Sequence, residues 1–113
     1  GPLDVTWASR TEESGGRTSP EELIAAAHAS CFSMALSHGL AQAGSPPDRL
    51  ETSATVTFVP GTGITKSALT VRGSVPGMDE RAFRAAAETA KEGCPAAKAL
   101  ASVPEITLDA ALL

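Results

Sequence analysis

The chain has 113 residues, 42% hydrophobic and 19% charged, with a formal charge of -4. That length suits one domain, with a core that buries roughly two thirds of the surface the unfolded chain exposes. The acidic balance offers no basic field for nucleic acid or for an anionic membrane surface. The longest apolar stretches are cut by His28, Ser30, Ser33 and Ser37, so none is expected to approach the roughly 20 residues of a membrane span. No signal-peptide pattern is visible, which makes the expected compartment cytoplasmic.

Leu3 to Ala8 alternates apolar and polar residues and reads as a strand, with Trp7 a core candidate. Residues 9–18 contain both early arginines, Arg10 and Arg17, two glycines and no apolar side chain, the signature of a loop. Ser19, Pro20 and Glu22 form a helix start in which Ser19 caps, Pro20 fits the first turn and Glu22 completes a capping box. The helix is expected to run to about Ala43 and to stop at Gly44. From Leu23 to Ala43 it holds no charged side chain, so a central, largely buried position is expected. Ala25, Ala27, Ala29, Ser30 and Ser33 spread small residues over several faces and would admit a second helix or a second subunit.

Leu50 to Val59 places Thr52, Ala54, Val56 and Phe58 on one face of a strand. Pro60-Gly61-Thr62-Gly63 supplies a turn, and Ile64 to Val75 returns as the second strand of a hairpin. Asp79 can cap a helix to Gly93 with an apolar stripe of Phe83, Ala86, Ala87 and Ala90, and with Glu80, Arg81, Arg84, Glu88 and Lys91 facing water. A short helix from Pro95 to about Ala101 and a strand from Glu105 to Leu113 complete the chain. This order defines an α+β fold with a mostly antiparallel sheet.

Two cysteines, Cys31 and Cys94, stand far apart in the chain and form neither a Cys-x-x-Cys motif nor a zinc ribbon. Either could be an inert core residue. An apolar mid-helix site should raise the Cys31 thiol above the free value of ~8.5 unless a cation compensates, whereas Cys94 heads a helix whose positive end favours a thiolate. If both thiols act, they suit peroxide reduction: one attacks the O–O bond and becomes a sulfenic acid, and the other captures it as a disulfide. A desolvated arginine would activate the attacking thiolate, with Arg10 and Arg17 as candidates, and Glu21 is the freer of two carboxylates to hold it. His28 and Cys31, three apart on a helix, could share a metal ligand, but a zinc site wants more ligands than this pattern supplies. His28 and His38 read as locally hydrogen-bonded helix residues, and Phe32, Met34 and Phe58 as core.

The stretch SPEELIAAAHASCFSMALS, together with EGCPAAKAL, resembles the OsmC/Ohr family of osmotically induced and organic-hydroperoxide-resistance proteins, and its OsmC branch more closely. The resemblance runs from about Trp7 to the end. It implies an intertwined α+β homodimer with active sites at the subunit interface and a single domain over residues 1–113; family members usually begin with a further strand hairpin of about thirty residues, so either this sequence is a fragment or that hairpin is lost. By position it makes Cys31 the peroxidatic cysteine, Cys94 the resolving one and Glu21 the carboxylate that orients the catalytic arginine, which falls on Arg10 rather than Arg17. The implied activity is thiol-dependent reduction of organic hydroperoxides, and less readily of hydrogen peroxide. It needs no cofactor and no metal, and a dithiol such as a lipoyl group restores the thiols. Phe32 and Leu36 would supply apolar walls for alkyl substrates. The alternative is a non-enzymatic OsmC-like dimer that binds a hydrophobic ligand or a partner.

Overall fold

The structure, a computed structural model, describes residues 19–113, so the expected first strand with Trp7, the loop and both early arginines lie outside the described residues. Helix α1 spans Pro20–Gln42, β1 Arg49–Val59, β2 Gly63–Ser74, α2 Glu80–Gly93, α3 Pro95–Ala99 and β3 Glu105–Leu112. Each agrees closely with its sequence expectation, because the punctuating residues act as their chemistry demands. The Ser19 hydroxyl accepts from the Glu22 amide at 3.2 Å, and an Asp79 carboxylate oxygen accepts from the Ala82 amide at 2.8 Å. Gly44 takes φ +84 after α1, so the Ser45 amide reaches the Leu40 carbonyl and the Gly44 amide the Ala41 carbonyl, a Schellman ending.

Strands β1 and β2 form the expected antiparallel hairpin across a turn in which Gly61 and Gly63 have positive φ, with a register shift between Thr57 and Phe58. Burial alternates strictly along β1, with Thr52, Ala54, Val56 and Phe58 on the inner face. On β2 the inward residues are Ser67, Leu69, Val71 and Gly73. The sheet order is β1-β2-β3, and β3 pairs parallel to β2, from Lys66↔Glu105 to Gly73↔Leu112. A parallel neighbour needs a crossover, which α2 and α3 provide.

Helices and sheet enclose one core of Phe32, Leu36, Leu40, Leu69, Val71, Val75, Phe83, Ala87, Ala90 and Cys94. Gly73 is required for the α2 contact: a Cβ there would lie 2.7 Å from Phe83 Cζ. Not all of the charged face of α2 looks to water. Glu80 accepts from the Leu112 amide at 2.9 Å and Arg84 donates to the Ala110 carbonyl at 3.2 Å, so both fasten the helix to β3.

Helix α1 departs from expectation in two respects. Its mean hydropathy of 1.3 makes it long and apolar enough to cross a membrane by length and composition, although the interrupting polar residues were expected to prevent this. That criterion is also met by core helices of globular proteins, and α1 packs on β1, α2 and α3. Nor is it largely buried. Only Glu21 and the stripe His28, Phe32, Leu36 and Leu40 are enclosed, while Leu23 is 43% exposed and Met34, expected in the core, is 73% exposed. One sheet and two short helices cannot cover a helix that is apolar on every side.

Candidate active site

Cys31 lies in the middle of α1, partly buried and packed against the core cluster. Cys94 occupies the joint itself, as the last cap of α2 and the first of α3, fixed between Gly93 and Pro95. Folding packs Cys31 against the buried cluster that contains Cys94, near enough for Cys31 to push the Cys94 thiol up. Both are free, Cys31 half-buried and Cys94 fully enclosed. A partly exposed thiol packed beside a buried one is an arrangement in which oxidation of the first could be captured by the second.

The electrostatics of Cys94 reverse part of the sequence expectation. Burial pushes its thiol up, and the hydrogen bond to Cys31 and the charge Cys31 carries when ionised add to that. The Ala97 and Ala96 amides pull the other way, as the head of α3 should, without prevailing. A five-residue helix end is too weak a field to offset desolvation at a site closed to water.

The structure does not bring every expected residue to this pair. Glu21 is buried in the first turn of α1, beside a small groove of about 160 Å³ shared with Glu22, Ala25, Ala54, Thr55 and Val56. Ten residues separate it from Cys31, about 15 Å of helical rise, so within one chain its carboxylate does not reach the thiols. Arg10 and Arg17 fall outside the described residues. Phe32 is completely buried in the core, whereas Leu36, nearly as buried, also lines a cleft of about 320 Å³ between α1 and α2 with Ala35, Gly39, Ala86 and Ala90. A cleft of about 580 Å³ lies between α1 and the start of β1 along Ser33, Met34, Ser37, His38 and Arg49, and neither cysteine lines it.

His28 is the residue whose environment sequence reading missed. It is fully buried, and its Nδ1 lies 2.6 Å from the Ser67 hydroxyl, 39 positions away on β2, rather than in a local helix contact. Its Nε2 has no hydrogen-bond partner among the described residues, and burial holds its pKa below the usual 6.5. Among the described residues no group of three or more His, Cys, Asp and Glu side chains is placed to hold a metal ion.

This α+β domain carries two free thiols distant in sequence, one on a long helix and one at a helix cap. Residues 13–109 match the family model described as OsmC-like protein. The peroxiredoxin OsmC of Escherichia coli K12 is 48% identical over 95 residues, as is that of Shigella flexneri. The aligned region covers 81% of this chain and 65% of each relative. An organic hydroperoxide resistance protein from Elizabethkingia anophelis superposes with a TM-score of 0.80 at 21% identity, covering 98% of this chain and 81% of that one. One from Legionella pneumophila gives 0.77 at 24% identity, covering 96% and 80%. These two establish the shared fold. The chain belongs to the OsmC-like family.

Proposed function

We propose that this protein is a cysteine-based peroxidase that reduces organic hydroperoxides, and hydrogen peroxide less well, in the reducing cytoplasm. The observation that carries the reading is the packing of Cys31 against the buried cluster that holds Cys94, two free thiols remote in sequence, one partly exposed and one buried. The Cys31 thiolate attacks the terminal peroxide oxygen; the O–O bond breaks, the thiol becomes a sulfenic acid, and the leaving alkoxide takes a proton from water to depart as alcohol. Cys94 then displaces hydroxide from the sulfenic sulfur, and its own proton leaves with that hydroxide as water. An external dithiol, such as a lipoyl group, reduces the resulting Cys31–Cys94 disulfide by exchange. No cofactor is needed for these steps.

The cation for this thiolate is Arg10, held by Glu21, with Arg17 the alternative for the cationic role. Because Glu21 stands almost three helical turns from Cys31 on its own chain, it serves the Cys31 of a second copy in a homodimer. The outward apolar face of α1, with Leu23 and Met34, supports that assembly.

Consumption of cumene hydroperoxide in the presence of dithiothreitol tests the reading. The wild-type protein turns over, Cys31→Ser loses activity by at least ~1,000-fold because no other group replaces the nucleophile, and full activity of Cys31→Ser would refute it. A protein that binds a hydrophobic ligand without chemistry shows no turnover at all.

A further inference from the structure

Beyond its first turn, helix α1 is apolar or small on every side, so no hydrophobic face selects which side turns toward the sheet. Turning it by one residue position, about 100°, would exchange one set of apolar side chains for another and carry Cys31 off the core cluster against which it packs. Two hydrogen bonds distinguish the observed rotation from its neighbours. His28 Nδ1 lies 2.6 Å from the Ser67 hydroxyl on β2, and Ser33 donates to the Thr52 hydroxyl on β1. His28 precedes Cys31 by three residues and Ser33 follows it by two, so the attachments stand about 140° apart around the helix and about 7.5 Å apart along it. Cys31 lies between them along the axis. As a source of stability His28 is a poor choice: the imidazole is fully buried and its Nε2 has no hydrogen-bond partner among the described residues, so an apolar side chain would fill the site at less cost. What the imidazole adds is direction, because turning α1 away takes it from Ser67 and leaves both groups buried without a bond.

We propose that His28–Ser67 and Ser33–Thr52 are positioning contacts that fix the rotation of α1 and so hold Cys31 against the cluster containing Cys94. The role deepens the peroxidase reading and rests on it for its catalytic meaning. These residues act through the helix rather than on the peroxide. Both anchors belong to one hairpin whose own register is set, Thr52 opposite Val71 and Ser67 opposite Val56, so they do not shift relative to each other. Cys94 is held by different elements, at the joint of α2 and α3, and the geometry of the thiol pair therefore depends on how α1 is turned. Ser30 supplies the contrast: it donates to the Ala26 carbonyl at 2.6 Å within α1 itself, a bond that every rotation of the helix preserves.

A disulfide between Cys31 and Cys94 reports how well the pair is held, and glutathione sets it without peroxide: the protein dithiol and one oxidised glutathione exchange to the protein disulfide and two reduced glutathiones. At one pH above 6.5, where His28 is neutral, the equilibrium constant of that exchange is compared for the wild type and two paired variants. His28→Leu with Ser67→Ala removes the tie to β2, and Ser33→Ala with Thr52→Val removes the tie to β1. Each pair is expected to lower the constant roughly three- to tenfold in the folded protein, because the constant follows the effective concentration of one thiol at the other. Ser30→Ala, which removes a bond inside the helix, and His28→Asn, which keeps a partner for Ser67, should stay within about twofold of wild type. A purely structural role would lower the denaturant midpoint of the reduced variants and leave the constant where it was. If His28→Leu with Ser67→Ala does not fold, the second pair decides, since Ser33 and Thr52 are only half-buried. Constants equal to wild type in the folded variants, or no Cys31–Cys94 disulfide in the wild type, overturn the proposal. The peroxidase reading is judged separately by wild-type consumption of cumene hydroperoxide with dithiothreitol. A lowered constant in the variants with no peroxide consumed by the wild type removes the peroxidase reading and retains the positioning contacts.

Discussion

Helices α1 and α2 lie side by side in one core, yet they end in opposite conditions. On α2, apolar and charged residues divide by face: Phe83, Ala87 and Ala90 go inside, while Arg81, Arg84 and Glu88 remain at the surface. A single chain satisfies both faces. On α1 no such division exists, because the residues opposite the buried stripe are also apolar or small, and Met34 and Leu23 stand in the open. The amphipathic helix is complete in one chain and carries no proposed chemistry. The uniformly apolar one is left unfinished, and it is the one that carries Cys31. A surface that one chain cannot cover is where a second copy would contribute both packing and the missing carboxylate.

The largest effect expected from breaking this contrast is on the finished side. Phe83→Ala removes a fully buried ring seated against Gly73 and should cost about 3–5 kcal/mol in denaturant unfolding. A loss below about 1 kcal/mol would mean that α2 is not the anchor of the core.

A smaller effect concerns the buried side of α1. His28 is neutral in the fold with its pKa held below 6.5, so the unfolded chain binds more protons than the folded one once the pH drops below that value. Stability should therefore be full above pH ~6.5 and should fall as the pH decreases toward the folded-state value, with a slope of at most ~1.4 kcal/mol per pH unit for this one proton. His28→Asn keeps a partner for Ser67 but cannot titrate, and it should remove that part of the slope. An unchanged profile would place the acid sensitivity elsewhere.

The smallest expected effect on folding is the most informative about the open face. Met34→Glu should change the stability of the single chain by less than about 0.5 kcal/mol, because the side chain is 73% exposed, yet it should shift sedimentation toward monomer. A dimer that survives the substitution would move the interface to another surface.

What could be read without coordinates follows the same division. Ser19, Asp79, Gly44 and the turn at Gly61 and Gly63 fix element ends through bonds made within a few residues, so those boundaries were legible. The alternating face of β1 was legible for the same local reason. The parallel pairing of β3 with β2 was not, since alternation fixes which face of a strand is buried and not which neighbour it joins. The His28–Ser67 contact spans 39 positions and depends on how α1 crosses the sheet, so no local pattern could announce it. The exposure of Met34 was misread because periodicity cannot distinguish a helix buried by its own chain from one with an apolar face still open. Of the site, the two cysteines stood out by their type and scarcity. Their meeting at one core cluster is a product of the fold, whereas the distance that keeps Glu21 from Cys31 on the same chain follows from the helix between them.

The most direct test of the two-thiol account is mass analysis of the reduced protein after one equivalent of cumene hydroperoxide. The account predicts that Cys31 and Cys94 are recovered in a single disulfide-linked peptide pair that dithiothreitol releases. Recovery of both cysteines as free thiols, or of Cys31 as sulfinic acid with Cys94 still reduced, would contradict it.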